Sequence, residues 1–156
     1  MYYYLSKAVY YGLTGKHRDA LQNLNLARYN IPLTGDKPFY PWYQLVEMCE
    51  WLYGDTKNEQ YKTLALEWAK IYQRIYPYQA WAYAVEARYT TSDSDRMKAL
   101  AITLYLDKNS NRISKFSSAE KKEALKWLEK NNPFLNFKKN TTAKGNYIQA
   151  SYAQIR

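Results

Sequence analysis

KIYQRIYPYQAWAYAVEARY, residues 70–89, places six aromatic side chains in twenty positions: Tyr72, Tyr76, Tyr78, Trp81, Tyr83 and Tyr89. Such a density fits either a ligand platform or the packed corner of a helix hairpin. Pro77 argues for the corner, because proline cannot continue a helix and marks the break between two of them. Ahead of it, Tyr61, Leu64, Ala65, Trp68, Tyr72 and Ile75 recur at helical spacing; behind it, Trp81, Ala84, Val85 and Tyr89 do the same. Tyr78 and Tyr83 fall off these stripes and are expected at an exposed surface.

Outward from this corner the pattern stays helical. The spacing predicts helices over roughly 2–14, 16–30, 39–53, 57–76, 78–90, 94–107 and 118–131. Their apolar stripes are Leu5, Ala8, Val9 and Leu13; Ala20, Leu24, Ala27 and Ile31; Trp42, Leu45, Val46, Cys49 and Leu52; the two around Pro77; Met97, Leu100, Ala101 and Leu104; and Ala124, Leu125 and Leu128. Gly15 and Gly54 follow the first and third stripes, Pro32 closes the second, and Pro38 and Pro41 open the third. Ser117 and Glu120 have the spacing of a capping box for the last helix. No alternating strand pattern competes. The fold class expected is all-α, in one domain over 1–133, with a polar basic tail over 134–156.

The hairpins repeat. Tyr4, Trp42 and Trp81 open equivalent blocks 38 and 39 residues apart, reading Tyr4-x-x-Lys7-Ala8-x-x-Tyr11, Trp42-x-x-Leu45-Val46-x-x-Cys49 and Trp81-x-x-Ala84-Val85-x-x-Arg88. The second helices carry Ala20-x-x-x-Leu24, Ala65-x-x-x-Ala69 and Ala99-x-x-x-Thr103. This resembles the tetratricopeptide repeat, whose pattern is aromatic, leucine–glycine, tyrosine, then alanine, phenylalanine and proline at fixed spacing. Residues 4–32 match best, through Tyr4, Ala8, Tyr11, Gly15, Ala20, Ala27 and Pro32. Lys7 departs where a leucine is expected, extra residues stand at 54–60, and the third block lacks its closing proline. The resemblance implies about three stacked hairpins in a short solenoid, with 118–131 as a terminal cap, and a concave groove for a peptide. Tyr4, Lys7 and Tyr11 are the groove candidates on that reading.

The chain carries 156 residues and a net charge of +9. The excess sits at the ends: residues 1–35 hold four bases and one acid, and 118–156 hold eight bases and three acids. An anionic partner is compatible with this. The lysines of 121–130 alternate with Glu120, Glu123 and Glu129, however, which reads as a solvated helix with paired charges rather than a basic face, so nucleic acid is not the expected partner. No stretch approaches the ~18 apolar residues of a membrane helix. Residues 2–5 are Tyr-Tyr-Tyr-Leu, without the basic start and apolar run of a signal peptide. The chain is therefore expected to be soluble. The helical pattern begins at once after Met1 without a capping residue, so a piece of a longer protein is expected.

Catalytic chemistry is sparse. One histidine and one cysteine give no nucleophile–base pair and no zinc set, so His17 is expected exposed near a turn and Cys49 in the core. Asp107-x-Asn109-x-Asn111 starts like a calcium loop, but Arg112 replaces the required glycine and Ser118 the bidentate glutamate. Glu47 and Glu50 read as a solvated face. Asn140-Thr141-Thr142 has only the spelling of a glycosylation site. No cofactor, metal or catalytic residue is expected.

A second likeness covers 70–134. The run Ile75-Tyr76-Pro77-Tyr78, then Ala80-Trp81, Arg96, Ala99-Leu100, Tyr105-Leu106-Asp107, Ala124-Leu125 and Asn132-Pro133-Phe134, looks like the C-terminal part of bacterial membrane O-antigen ligases, polymerases and protein O-oligosaccharyltransferases. That resemblance implies a helical-repeat domain on the periplasmic side of a glycan-transferring membrane enzyme whose catalytic loop lies elsewhere. It would position an acceptor protein, or guide the glycan, and lie near an anionic membrane surface. Tyr78, Tyr83, Arg74 and Arg88 are the partner-surface residues expected on this reading. A free-standing cytoplasmic adaptor that binds peptides is the alternative.

Overall fold

The computed structural model describes residues 1–31 and 39–131, with side chains described over 1–31 and 41–131. The expected tail 134–156, the Asn132-Pro133-Phe134 motif, the Asn140 sequon, Pro32 and Pro38 lie outside the described residues. The described residues are all-α: α1 (Tyr2–Leu13), α2 (His17–Tyr29), α3 (Phe39–Thr56), α4 (Glu59–Ile75), α5 (Ala80–Tyr89), α6 (Asp93–Leu106) and α7 (Ser118–Asn131), with a 3-10 turn at Asn111–Ile113. No strand occurs among them. None of these helices is long and apolar enough to cross a membrane. The chain groups into two compact units, the boundary falling inside α4 between Trp68 and Ala69.

In the first unit α1 packs along α2, and α3 packs on both. Its buried set is Leu5, Ala8, Ala20, Leu24, Ala27, Trp42, Leu45, Val46, Cys49, Leu52, Tyr61, Ala65 and Trp68. Alanines on α2 let the backbones approach, and the large rings of α3 and α4 occupy the volume left. α1 ends in a Schellman motif. Gly15, at φ 77°, supplies the left-handed residue, Lys16 N–H reaches the Tyr11 carbonyl (2.8 Å), and Gly15 N–H reaches that of Gly12 (3.2 Å). Leu13, expected on the stripe, is exposed; its neighbour Gly12 takes the contact position instead.

Between α3 and α4 the sequence expectation needs correcting. Residues 54–60 do not form a loop: Gly54 lies inside α3, and only Lys57 and Asn58 connect the helices. A single glycine costs a helix only about 1 kcal/mol, which packing overrides. The chain turns instead at Lys57, whose φ is 58°, and the Asn58 side-chain oxygen caps α4 by accepting from Gln60 N–H at 3.0 Å. A side chain in the left-handed region is strained, so Lys57→Gly is expected to stabilise the protein by about 0.5–1 kcal/mol. A rise in the thermal midpoint checks this; a fall would mean that the Lys57 ammonium bond to the Gly54 carbonyl outweighs the strain.

The second unit is built on α5, α6 and α7, with α6 packed against both neighbours. Ala84, Ala87, Ala99, Leu100, Ala101, Leu104, Ile113, Phe116, Ala124 and Leu128 form its core, with Met97, Tyr105 and Trp127 against it. Leu125, expected on the seam of α7, is exposed, because Ala124 and Leu128 hold that seam. The Ser117–Glu120 capping box is formed: Ser117 Oγ accepts from Glu120 N–H at 3.2 Å, and the Glu120 carboxylate accepts from Ser117 N–H at 2.8 Å. The Ser117 N–H and then the Ser117 hydroxyl, both donating to the carboxylate, and after them the Arg96 guanidinium paired with it, hold its pKa below the ordinary range. Glu120 thus caps α7 and ties it to α6.

The aromatic corner is a packed one. Tyr72 lies 4.8 Å from Trp81 and 5.0 Å from Tyr76, and Tyr78 meets Tyr76 edge-on at 6.4 Å. Gln79 N–H closes the turn over Pro77 and Tyr78 by donating to the Tyr76 carbonyl (3.3 Å). Beside it, Gln73 Nε2 donates to the Ala82 carbonyl (3.1 Å) and to Glu86 (2.9 Å), and Lys70 pairs with Glu86 at 3.2 Å. These bonds tie the end of α4 to α5.

Candidate functional site

The sequence-derived candidates divide on inspection. Tyr78 is exposed, as is Arg74. Tyr83 is not: it is only 2% exposed, and burial, with the Glu86 carboxylate second, pushes its phenol well above the ordinary range. The reason is that α5 has no solvent face over Trp81–Val85, where five consecutive residues are buried, so leaving the stripe does not mean reaching water. Arg88 is half-buried, its guanidinium 5.2 Å over the Tyr89 ring. The four residues do not form one exposed surface.

Tyr4, Lys7 and Tyr11 are half-buried on one side of α1. Lys7 Nζ sits 4.6 Å over the Tyr3 ring, and Tyr3 raises the ammonium pKa. Tyr3 meets Tyr4 edge-on at 5.3 Å, and Tyr11 meets Tyr10 at 5.5 Å. These side chains pair with one another.

The groove of the first unit lies on the opposite side of α1. It encloses about 730 Å³ between α1 and α3, lined by Tyr2, Leu5, Ser6 and Val9 from one helix and by Gln44, Glu47, Met48 and Trp51 from the other. Each set is spaced i, i+3, i+4, i+7, a single helical face. At about 100° per residue, Tyr4, Lys7 and Tyr11 are turned roughly half a circle away from this set. Tyr4, Lys7 and Tyr11 therefore do not line this groove.

Local contacts set the groove. Gly12 is buried on α1, and a Cβ there would lie 2.6 Å from Leu52 Cδ2 and 3.3 Å from the Tyr61 hydroxyl oxygen. Glycine lets α1 come this close to α3 and α4 without displacing the Leu52 side chain. Tyr61 is fixed in turn by His17, whose Nδ1 is 2.9 Å from the hydroxyl; His17 is half-buried in this bond rather than exposed at a turn. Tyr2 and Trp51 form an aromatic rim, 59% and 47% exposed. Leu5, Val9 and Met48 supply apolar wall, and Gln44 and Glu47 are the polar groups on α3. The Tyr43 hydroxyl donates to Glu47 Oε1 at 3.2 Å. None of the α3 groove residues was singled out for binding from the sequence; the repeated i, i+3, i+4, i+7 spacing was the available signal.

Among the described residues no group of three or more His, Cys, Asp or Glu side chains is placed to hold a metal ion. Cys49 is wholly buried, which pushes its thiol well above the ordinary range and suppresses the nucleophilic thiolate. The Asp107 carboxylate accepts from Asn109 N–H at 3.1 Å within its own turn. Comparison with protein-family models, with curated proteins and with solved structures finds no match to this chain.

Proposed function

We propose that this chain is a non-catalytic, tetratricopeptide-like interaction domain that holds a segment of a partner protein in the groove between α1 and α3. The observation that carries the reading is the groove itself: two helical faces in matching register, apolar walls, exposed aromatic rims and three polar side chains, Ser6, Gln44 and Glu47. Exposed tyrosine and tryptophan around an apolar cleft are what a protein-binding surface offers, because such rings bury much area at little entropic cost. A segment whose apolar side chains fall into such a cleft is bound in the helix-in-groove manner or as an extended strand of side-chain anchors.

The likeness over 70–134 supplies the setting. In it, the domain is the periplasmic accessory part of a membrane glycan ligase of the O-antigen ligase or protein O-oligosaccharyltransferase type, and the groove holds the acceptor protein next to a catalytic loop outside this chain. A cytoplasmic adaptor would use the same groove for a different peptide. Reading the coding DNA upstream of Met1 separates the two settings: an in-frame extension encoding many membrane helices supports the ligase, and a ribosome-binding site directly upstream supports the adaptor.

The binding reading has its own test. Peptides selected from a displayed random library on the whole chain are expected to bind at the groove. Met48→Arg, a partly exposed position where a cation would project into the apolar cleft, is expected to weaken them at least tenfold, about 1.4 kcal/mol. Selected peptides that bind the Met48→Arg protein unchanged would overturn the groove as the binding surface.

A further inference from the structure

We infer that a second copy of this chain docks on the outer face of α1, the two α1 helices lying antiparallel across a two-fold axis at Ser6. The inference goes beyond the groove reading. The face borders the groove and shares Tyr2, Ser6 and Val9 with it, so self-association and a bound segment compete.

The face follows from the sequence of α1. At about 100° per residue, Val9, Tyr2, Leu13, Ser6, Tyr10 and Tyr3 fall in that order across an arc of about 120°, with Ser6 at its middle. Tyr2, Tyr3, Tyr10 and Leu13 are 59%, 64%, 62% and 51% exposed. No charged side chain belongs to the arc, and Lys7, at its edge, is folded over the Tyr3 ring. A surface helix turns charged and polar residues to water, and α1 turns aromatic ones instead.

Symmetry points to a second copy. Larger side chains stand three and four residues to either side of Ser6: Tyr3 and Tyr2 before it, Val9 and Tyr10 after it. A two-fold axis at Ser6 therefore sets Tyr2 opposite Tyr10 of the second copy, Tyr3 opposite Val9 of the second copy, and serine opposite serine. A closed dimer requires a self-complementary patch of this kind. The small Ser6 at the crossing lets the axes approach to the ~8–10 Å of packed helices. Polarity agrees: α1 has no acid in its first turn and no base in its last, and an antiparallel neighbour supplies each end with the opposite partial charge.

Area sets the strength. A buried tyrosine removes about 150–250 Å² from water, so three rings about 60% exposed offer roughly 270–450 Å². Leu13, Ser6 and Val9 bring the face to roughly 500 Å² per copy, and the pair to about 1,000 Å², the least that a specific interface buries. The dimer is therefore a weak one, micromolar in affinity, that forms as concentration rises.

Sedimentation equilibrium on the whole chain over a hundredfold range of concentration is expected to carry the mass from 18.5 kDa toward twice that value. Tyr10→Glu, at an exposed position outside the groove lining, sets a carboxylate against Tyr2 of the second copy and is expected to weaken the dimer at least tenfold, with the fold checked by circular dichroism. Ser6→Cys places two thiols face to face on the axis, within disulfide reach. It is expected to cross-link in oxidised glutathione at least tenfold faster than Gln22→Cys, at an exposed position on α2; Cys49 is wholly buried and takes no part. A chain that stays at 18.5 kDa throughout, a dimer that Tyr10→Glu leaves intact, or one in which Ser6→Cys cross-links no faster than Gln22→Cys would overturn the inference. Each of these leaves the groove reading standing, because Met48→Arg tests that separately.

Discussion

Trp42→Ala is expected to destabilise the protein by about 3–5 kcal/mol, the range for truncating a fully buried large aromatic. A domain is stabilised by only about 5–15 kcal/mol in all, so this one change should consume a third or more of the margin. Trp42 lies on α3 and is wholly buried; its ring also carries the Arg28 guanidinium at 4.6 Å. Two effects are thus lost together, and their sizes differ. A cation over a ring at a partly exposed site contributes roughly 0.5–1 kcal/mol. The cavity left by the indole accounts for the rest. Arg28→Met, which keeps most of the apolar stem, should therefore cost about 1 kcal/mol or less, and Trp42→Phe should fall between the two. Urea unfolding followed by circular dichroism checks the ranking without depending on the tryptophan that has been removed. A Trp42→Ala loss below about 1 kcal/mol would mean that the ring is not packed as described.

The same residue shows what was legible in the sequence. Trp42 and Trp81 open equivalent blocks, and both are buried, 0% and 7% exposed; Tyr4, the third of the set, is only half-buried. Ala20, Ala65 and Ala99, paired by the same spacing, are all buried. Helix spans were readable because their signals are local: a 3.6-residue period, prolines, and a Ser117–Glu120 box whose partners lie three residues apart. Burial on the stripes follows from the same period.

What could not be read depends on residues distant in sequence. Tyr83 looks like a surface residue only if α5 keeps a free face, and that depends on what surrounds α5. Gly54 looks like a stop only if no tertiary packing carries the helix through it, and the residue that does turn the chain, Lys57, has no side-chain preference for doing so. The groove is the clearest case. Its two walls are 44, 47, 48 and 51 on one side and 2, 5, 6 and 9 on the other, and no local pattern states that these faces meet. Glu47 was visible as a solvated carboxylate; its meaning changes once α1 is placed against α3. His17 likewise reads as a turn residue until Tyr61, 44 positions away, is brought to its ring.

Gly12→Val should be the second most damaging change among those considered, at about 2–3 kcal/mol, toward the upper end of the range for overpacking a filled core. Alanine is the informative comparison. A methyl at Gly12 would meet Leu52 Cδ2 at 2.6 Å, which the end of a leucine can relieve by rotating, and would sit 3.3 Å from the Tyr61 oxygen, which is tight but tolerable if that ring shifts a little. Against this strain stands a gain of up to about 1 kcal/mol from replacing glycine within a helix. Gly12→Ala should therefore come out close to neutral or mildly destabilising. Valine adds two further methyl groups on a stiff branched carbon, and these meet a wholly buried Leu52 and Tyr61 that have little room to move aside. The His17 bond decides how much the site can yield, because it holds the Tyr61 hydroxyl that a Gly12 side chain would press on. In a His17→Ala background the Tyr61 ring is freer, so the cost of Gly12→Ala should fall, and a double-mutant cycle should show coupling of at least about 0.5 kcal/mol. Additive effects would show that Gly12 and His17 do not act on Tyr61 together. Because the same glycine sets how closely α1 approaches α3, Gly12→Val should also weaken groove binding at temperatures where the protein remains folded, whereas Lys57→Gly, with its side chain outside the groove lining, should not.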